Sequence, residues 1–427
     1  MRIVDLSDGL DLAAVDRILG ADGPDTEAAA RASEIVSAVR KGGDKALAEY
    51  TAKFDGFTLE SGKIRVPVEE IREIAARADD ELVAILRVAA SNVRQYHEEQ
   101  IQESWEIYGG DGVHLGQRVT PIARVGLYIP GFTAAYPSSV LMNAIPAKVA
   151  GVERLVVATP PRSLEENPLV AAAIDLLGID EVYRIGGAQA IAALAFGTES
   201  VPPVDKIVGP GNRWVQAAKK EVFGRVDIDM VAGPSEVAVV VDETCDPEWA
   251  AADLLAQAEH DEAASVWLIC WSESVAAAVF DQVQAQLETL DCDSIARMAI
   301  ANNGVSFIVS GAEDAVDLVD HIAPEHVEIL MAEPDAIADR IRNAGAVFIG
   351  RYSPTVVGDY FAGPSHVLPT ARTARFFSPL GVHDFIKRTS IVRYSGRAIE
   401  RSGSMIEKFA IAEGLTGHAR SITIRGH

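Results

Sequence analysis

The chain has 427 residues, of which 48% are hydrophobic, and its 62 acidic and 38 basic residues give a formal net charge of −24. This length predicts more than one domain, and the acidic charge argues against nucleic acid and anionic membranes as partners. The cysteines Cys245, Cys270 and Cys292 have no CxxC spacing, which argues against a disulfide framework and a thiolate metal site. With no signal peptide and no apolar run of about eighteen residues, we expect a cytoplasmic protein without a membrane span.

The first hundred residues predict helices. An apolar face at helical spacing follows the N-cap residue Asp25 and ends at Gly42 and Gly43. His97 lies among Gln and Glu in a later helix and is predicted to be solvated. The further helices are predicted over residues 44–54, 68–78 and 80–105.

Short apolar runs separated by helical stretches occupy the middle of the chain, and most of them end in Gly or Pro. This alternation predicts two α/β units of similar size, each with a parallel sheet wound on both faces. The first series of strands is predicted over residues 124–129, 154–158, 181–185 and 206–208. The second series is predicted over residues 237–241, 265–270, 305–309 and 346–349.

The chain becomes mixed and more polar beyond about Gly381. A helix is predicted near residues 406–413 and a strand over residues 421–425. A tail of this size has too little apolar surface to fold alone, so we expect it to dock on another surface, for example a partner subunit.

Glu325 and His326 form the first candidate site. They follow Pro324, between a helical segment and an apolar run that reads as a strand, and the proline predicts a stiff, extended corner. A carboxylate beside an imidazole fits acid–base chemistry. A solvated corner with no function has the same pattern.

Three further patterns carry potential ligands. Gln257 and His260 lie three residues apart at the end of a predicted helix, where an amide oxygen and an imidazole nitrogen on one face could bind zinc. Asp359 is predicted on a loop at the carboxyl end of the 346–349 strand, the side on which wound sheets bind ligands, and His366 follows on an irregular loop. A polar helix end and a self-stabilised turn are the structural alternatives.

The tail carries the last pair, Glu413 and His418, which are separated by two glycines. It could bring both side chains into a site that it does not build alone, although a polar helix C-cap has the same pattern. The glycine turns over residues 186–189 and 209–212 join strands to helices and could face a phosphate. Neither turn forms GxGxxG, so the standard dinucleotide fingerprint is absent.

Taken in order, these patterns closely resemble the histidinol dehydrogenase family over nearly the whole chain from about residue 25. The likeness rests on long runs that occur in the same order as in the family. These runs are Arg124-Val-Gly-Leu-Tyr-Ile-Pro-Gly131, Tyr136-Pro-Ser-Ser-Val-Leu-Met142, Gly186-Gly-Ala-Gln-Ala-Ile-Ala-Ala-Leu-Ala-Phe-Gly-Thr198, Ile207-Val-Gly-Pro-Gly-Asn212, Gly233-Pro-Ser-Glu236, Gln257-Ala-Glu-His-Asp261, Ala323-Pro-Glu-His326, Gly358-Asp-Tyr360 and Glu413-Gly-Leu-x-x-His418.

The resemblance implies a Zn²⁺- and NAD-dependent enzyme that oxidises L-histidinol through the aldehyde to L-histidine and reduces two NAD molecules. His326 would take the alcohol proton, and Glu325 would activate water for the second step. The implied zinc ligands are Gln257, His260, Asp359 and His418. The implied substrate-binding residues are Ser235, Gln257, His260, Glu325, His326, Asp359, His366, Glu413 and His418. The implied NAD-binding residues are Tyr128, Gln189 and Asn212.

The resemblance also implies an architecture of two incomplete Rossmann-like, doubly wound α/β domains over residues 121–236 (the NAD side) and 237–380 (zinc and acid–base residues). An N-terminal helical segment, residues 1–120, would pack with the 237–380 domain. The C-terminal tail, residues 381–427, would cross to the other protomer of a homodimer with shared active sites.

Two residues depart from the family pattern. Phe132 stands where the family usually has a second glycine, so the loop near Tyr128 is expected to differ, and Ser365 replaces a frequent Asn beside His366. The alternatives are a family relative that oxidises another small alcohol, such as a sulfonated diol, and a non-catalytic protein that keeps the fold. The run Tyr136-Pro-Ser-Ser139, the residues Glu413 and His366 and the acidic charge favour histidinol over an anionic alcohol. The presence of every expected ligand and of both acid–base residues argues against a non-catalytic protein.

Overall fold

The computed structural model describes residues 1–20, 25–59, 62–131, 136–290 and 293–426. Asp25 and Asp79 cap the two longest N-terminal helices by accepting hydrogen bonds from first-turn amides. The elements of this segment are β1 (Arg2–Asp5), α1 (Leu12–Leu19), α2 (Thr26–Asp55), β2 (Arg65–Val66), α3 (Val68–Ala75), α4 (Asp80–Glu98), β3 (Trp105–Tyr108), a short 3-10 helix (Gly110–Gly112) and β4 (His114–Pro121).

Two details of this segment differ from the sequence-based prediction. The helix expected to reach Trp105 ends at Glu98, because residues 105–108 pair as a strand with β4. His97, predicted to be solvated, is fully buried, and its Nδ1 lies 2.7 Å from the carbonyl oxygen of Val93. Burial lowers the pKa of His97, so the ring belongs to the core as a neutral side chain.

The first wound unit is a six-stranded sheet in the order β2-β7-β6-β5-β8-β9, parallel except for the edge strand β2. Buried apolar side chains cover both of its faces, which explains the continuous apolar runs in its strands. Its elements are β5 (Arg124–Tyr128), α5 (Pro137–Val149), β6 (Arg154–Thr159), α6 (Ser163–Glu166), α7 (Pro168–Leu176), β7 (Glu181–Arg184), α8 (Gly187–Phe196), β8 (Lys206–Val208), α9 (Arg213–Val222) and β9 (Asp227–Ile228).

The second wound unit is an all-parallel sheet in the order β1-β12-β11-β10-β13-β14, again with an apolar core on each face. The predicted α/β fold class with wound, largely parallel sheets is thereby confirmed. The elements are β10 (Glu236–Val241), α10 (Pro247–Ala258), β11 (Ser265–Cys270), α11 (Glu273–Leu287), α12 (Asp293–Asn303), β12 (Val305–Ile308), α13 (Ala312–Ile322), β13 (His326–Leu330), α14 (Asp335–Ala338), β14 (Ala346–Ile349) and α15 (Thr355–Tyr360).

The N-terminal segment divides between the two units, which differs from the expectation that it packs with residues 237–380. Among the described residues, β1 and the neighbouring α1 join the second unit, where β1 pairs in parallel with β12. The helix α2 packs on α8 and α9, β2 pairs with β7, and α3 and α4 pack on α7 and α5. Apolar side chains of α2 such as Ile35 and Val39 therefore complete the core of the first unit.

A strand of the tail, β15 (Ile386–Arg393), joins β4 and β3 of the N-terminal segment in a third, antiparallel sheet in the order β15-β4-β3, and two helices follow it. Residues 421–425, predicted as a strand, belong mainly to the second helix, because Ile422 packs against the small residue Gly403 on the first. Among the described residues no helix is long and apolar enough to cross a membrane. The elements are two 3-10 helices (Thr373–Arg375 and Val382–Phe385), β15 (Ile386–Arg393), α16 (Gly396–Ala412) and α17 (Thr416–Thr423).

Candidate active site

The candidate site lies where the carboxyl edge of the first sheet faces the amino edge of the second. Ser139, in the first turn of α5 after β5, has its Oγ 3.5 Å from Nε2 of His366. Ser365 donates a hydrogen bond of 3.5 Å to the carbonyl oxygen of Met142 on the same helix and accepts one from its own loop. The two units therefore meet at this cleft. The hydroxyl of Ser365 forms these hydrogen bonds in place of the Asn side chain that the family frequently has at this position.

The Glu325-His326 corner is tied to the start of β10. Ala323, with a φ of 49°, ends α13, and β13 begins at His326. The Glu325 carboxylate accepts a hydrogen bond of 2.9 Å from the backbone N–H of Glu236, and the Glu325 N–H donates one of 3.3 Å to the Glu236 carboxylate. Only 7% of Glu325 and 4% of His326 is exposed, so the alternative of a solvated corner is wrong.

Burial moves the pKa values of these two side chains in opposite directions. It raises the pKa of Glu325 well above the usual value, and the nearby charges of Glu236 and Asp359 raise it further. It lowers the pKa of His326 to about 4. Nδ1 of His326 lies 3.0 Å from the carbonyl oxygen of Glu236, which can only accept, so Nδ1 carries the proton. Nε2 is left as a buried nitrogen without a partner among the described residues.

Gln257 and His260 lie at the C-terminal end of α10, as predicted. The helix starts at the N-cap Asp246 with Pro247 in its first turn, which fixes the register of the two side chains. Gln257 is buried, whereas His260 is exposed and donates from Nδ1 to the carbonyl oxygen of Ala256 at 2.9 Å. That hydrogen bond leaves Nε2 of His260 with a lone pair for a ligand.

Asp359 lies at this edge, but its position in the fold differs from the predicted one. It lies near the end of the short helix α15 rather than on a loop, and at the amino edge of the second sheet rather than the carboxyl edge. Burial raises the pKa of Asp359 to about 6, and nearby His260 lowers it. Burial lowers the pKa of His366 to about 4, and the nearby charge of His260 contributes to this lowering. The sequence-based assignment to the carboxyl edge was wrong because α15 runs back along the sheet.

The structure does not bring the tail residues to this edge within one chain. Glu413 directly follows the last residue of α16, and His418 lies on α17. Both residues are exposed. α17 packs on α16, and α16 packs on the 3-10 helix at Gly110–Gly112. Over the described ranges, no group of three or more His, Cys, Asp and Glu side chains is close enough to hold a metal. The predicted ligand set is therefore incomplete in a single chain.

The three predicted NAD-binding residues share the carboxyl edge of the first sheet. The Tyr128 hydroxyl accepts a hydrogen bond of 3.0 Å from the N–H of Gly187, and burial raises the pKa of Tyr128 to about 12. Gln189 donates to Asp55 at 3.3 Å, and its buried Oε1 has no partner among the described residues. Asn212 caps α9 by accepting from Trp214 and Val215, and is exposed.

Comparison with known proteins identifies the family. The family model described as histidinol dehydrogenase matches residues 21–426. The chain is 53% identical over 393 residues to the histidinol dehydrogenase of Geobacillus kaustophilus (strain HTA426), covering 92% of each chain. It belongs to the histidinol dehydrogenase family. The Bacillus subtilis (strain 168) histidinol dehydrogenase is 52% identical, over 92% of this chain and 91% of that one. The histidinol dehydrogenase structure from Elizabethkingia anophelis superposes with a TM-score of 0.92 at 36% identity, covering 100% of this chain and 98% of the other.

Membership of the histidinol dehydrogenase family confirms the resemblance read from the sequence and identifies an oxidoreductase. The reasoning from sequence missed Glu236 and Ser139 as site residues. Both lie in runs that carried the resemblance, Gly233-Pro-Ser-Glu236 and Tyr136-Pro-Ser-Ser-Val-Leu-Met142, and that was the available signal. The expectation about Phe132 lies outside the described residues.

Proposed function

We propose that this chain oxidises L-histidinol through L-histidinaldehyde to L-histidine, with one Zn²⁺ per active site and two molecules of NAD, as the last steps of histidine biosynthesis. The observation that carries the proposal is the buried Glu325-His326 pair beside Gln257, His260 and Asp359 in the cleft between the two units. Its few cysteines and its biosynthetic role fit a cytoplasmic protein.

The residues present fit a zinc ion. Gln257, His260, Asp359 and His418 form an N/O donor set, and the free Nε2 of His260 is held towards a ligand by the hydrogen bond at Nδ1. The buried Asp359 carboxyl, with its raised pKa, would gain from a nearby cation. The bound ion would supply Lewis-acid polarisation of the substrate and would hold its nitrogen and oxygen atoms in place.

The two acid–base residues divide the chemistry. In the first oxidation His326 takes the alcohol proton on the unpartnered Nε2 while a hydride leaves for NAD. In the second, Glu325 takes a proton from the water that adds to the aldehyde, and the hydrate then loses a hydride to the second NAD. The raised pKa of Glu325 makes its ionised form a stronger base than an ordinary carboxylate. The lowered pKa of His326 keeps Nε2 unprotonated and open to the alcohol proton, although it makes the ring a weaker base than an ordinary imidazole.

Substrate and cofactor would meet at the cleft. Ser235, His366 and Glu413 would complete the pocket for the amino alcohol, and Tyr128, Gln189 and Asn212 would contact NAD. The unpartnered Oε1 of Gln189 supports a polar ligand at that edge, since a buried acceptor without a donor is costly.

A homodimer with shared sites is supported by the tail. Glu413 and His418 are exposed, and α16 and α17 present apolar side chains such as Phe409, which is 70% exposed, and Ile424. Within the part of the chain that the structure describes, the buried apolar clusters include no residue of these helices. A partner subunit would cover this surface and receive both polar side chains at its own cleft.

The deciding experiment mixes zinc-loaded protein with L-histidinol and NAD and follows NADH together with histidine. Two NADH per histidinol are expected. No NADH would refute the proposal, and one equivalent that stops at the aldehyde would refute the second oxidation. Turnover of a sulfonated diol in place of histidinol would support the alternative substrate.

Two variants test the division of labour. We expect His326→Ala to lose mainly the alcohol step, whereas Glu325→Gln should oxidise added histidinol once and stop. Supplying L-histidinaldehyde separately isolates the second step, which Glu325→Gln should not catalyse. Equal losses of both steps in both variants would contradict the assignment.

A further inference from the structure

Glu328 is a fully buried side chain on β13, two residues beyond His326 and on the same face of the strand. Its Oε1 accepts a hydrogen bond from the backbone N–H of Thr355, the first residue of α15. Its Oε2 has no hydrogen-bond donor among the described residues, and the side chain interacts with the nearby carboxyl group of Asp253 on α10. Two buried carboxylates in contact would repel, so the pair requires an explanation.

A single proton held by Glu328 satisfies the pair. Burial and the nearby Asp253 both raise the pKa of Glu328 well above its usual value. Burial also raises the pKa of Asp253, although its hydrogen bond with Glu328 lowers it. With that proton Glu328 can donate to the Asp253 carboxylate while its Oε1 accepts from the backbone N–H of Thr355, so that both of its carboxyl oxygens would have a partner.

Each of the two residues that interact with the Glu328 carboxyl group lies one helical turn before a proposed zinc ligand. Asp253 lies four residues before Gln257 on α10, and Thr355 lies four residues before Asp359 on α15. Side chains four apart on a helix, or two apart on a strand, project from the same face. The buried glutamate thus joins the two helices that bear proposed zinc ligands to the strand that begins with His326.

We propose that Glu328 is a positioning residue that holds α10 and α15 against β13, so that Gln257 and Asp359 converge beside His326. The inference rests on the proposed zinc and acid–base roles of those residues. Glu328 touches no reacting atom, and it acts through the two hydrogen bonds that fix the helices. Groups that orient metal ligands in this way affect metal affinity and activity almost as strongly as the ligands.

Two substitutions of similar size test the proposal. Glu328→Gln keeps both hydrogen bonds, because its amide oxygen accepts from Thr355 and its amide N–H donates to Asp253. Glu328→Leu fills the space and loses both. We expect zinc affinity, measured by competition with a chelator, to fall about 10- to 100-fold in the Leu variant and to change by less than about 3-fold in the Gln variant. The kcat for both oxidations should follow the same pattern.

The matched control is Val327→Ala. Val327 is a buried neighbour on the opposite face of β13, and its apolar side chain forms no hydrogen bond to α10 or α15. Its zinc affinity should stay near that of the wild type even if its melting temperature falls as far as that of Glu328→Leu. Equal losses of affinity in these two variants, or a Gln variant as weak as the Leu variant, would overturn the proposal.

A measurement on metal-free protein separates this inference from the proposed function. Amide hydrogen exchange at Thr355 should accelerate in Glu328→Leu and remain slow in Glu328→Gln, because only the latter retains an acceptor for that N–H. If the Thr355 amide exchanged as slowly in Glu328→Leu as in the wild type, the proposed link between β13 and α15 would be refuted. Wild-type protein that bound no zinc would refute the proposed function, whereas the exchange rates would still decide whether Glu328 holds α15.

Discussion

His326 combines a fixed tautomer with a pKa lowered to about 4, and both follow from its place at the start of β13. The backbone carbonyl of Glu236 holds the proton on Nδ1, so the buried Nε2 keeps its lone pair. An ordinary histidine would be half protonated near pH 6.5. The buried ring instead stays neutral well below neutral pH, so Nε2 remains unprotonated over that range.

The alcohol step should therefore tolerate acid better than an ordinary imidazole base allows. With zinc and histidinol saturating, we expect the rate of the first NADH in the Glu325→Gln variant to stay within about 2-fold between pH 7.5 and pH 6. Rapid-mixing absorbance measurements follow that single turnover without the second step. A rate that falls about 3-fold or more over this range would show that the base titrates near its ordinary pKa.

Glu325 should make the metal-free protein less stable as the pH rises. Its pKa in the folded state is raised above 4.5, so the folded protein binds more protons than the unfolded chain between 4.5 and the raised value. Stability is then lost as the pH increases through that window. We expect Glu325→Gln to gain on the order of 1 kcal/mol over the wild type at pH 8 and much less at pH 4.5.

Urea unfolding of the metal-free proteins at both pH values measures this difference. Glu153→Gln makes the same chemical change at an exposed position and serves as the control for the substitution itself. A Glu325→Gln variant whose advantage shrinks with rising pH would contradict the sign of the linkage.

At the scale of elements, the bend in α2 depends on one glycine. Gly43 has a φ of 54° and a ψ of −140°, a conformation that is open essentially to glycine alone, and a Cβ there would meet the carboxylate of Glu199. That carboxylate accepts a hydrogen bond of 2.7 Å from the N–H of Asp44, which is the first residue of α2 after the bend. The bend lets α2 follow both α8 and α9.

We expect Gly43→Ala to lower the free energy of unfolding by about 2–3 kcal/mol. Gly56→Ala is the matched control, because Gly56 has a φ of 58° with no atom within 4 Å of an added Cβ. That variant carries only the left-handed backbone penalty of about 1–2 kcal/mol. Thermal unfolding compares the two, and an equal loss in both would show that the contact with Glu199 has no energetic effect.

The sequence predicted elements well where local signals decide them. The two series of strands and the N-caps Asp25 and Asp246 follow from periodicity and capping residues, and the structure has them. The errors arose where distant packing overrides the local pattern. Ile422 alternates like a strand residue but packs in a helix against Gly403, and polar neighbours of His97 concealed a ring buried under the chain near Leu380.

The candidate site was predictable to a different degree. Family-like runs identified the residues proposed for zinc and for proton transfer, but the positioning role of Glu328 was invisible in them. Its partners Asp253 and Thr355 are 75 and 27 positions away in the sequence, and no periodicity reports such contacts. The position of Asp359 at the amino edge likewise depends on the direction of α15, which residue types alone do not determine.

At the scale of the whole molecule, we expect the exposed apolar face of the tail to form the interface of the proposed homodimer. Phe409→Glu places a charge on that face, and we expect the protein to become largely monomeric and to lose most of its activity. Light scattering after size-exclusion chromatography gives the mass. Phe409→Leu keeps the apolar contact and should remain dimeric, and an active monomer of Phe409→Glu would contradict the shared site.

Subunit exchange tests the same feature without disturbing the interface. His418→Ala and His326→Ala should each be inactive alone, because each lacks one part of every site. Mixed dimers should contain one site with both residues intact and recover about a quarter of the wild-type activity, since half of the dimers are mixed and each holds one complete site of two. Absence of recovery after confirmed exchange would argue against a tail that crosses.

The edge strand β1 has a consequence for synthesis on the ribosome. Arg2 pairs with Val305, so β1 must wait for a partner made about three hundred residues later. Residues 26–98 meanwhile assemble on the first wound unit, which can close early around a contiguous stretch of nascent chain. The second unit can complete its sheet only after β12 has been translated, so β1 remains an unpaired strand, and a target for chaperones, until then.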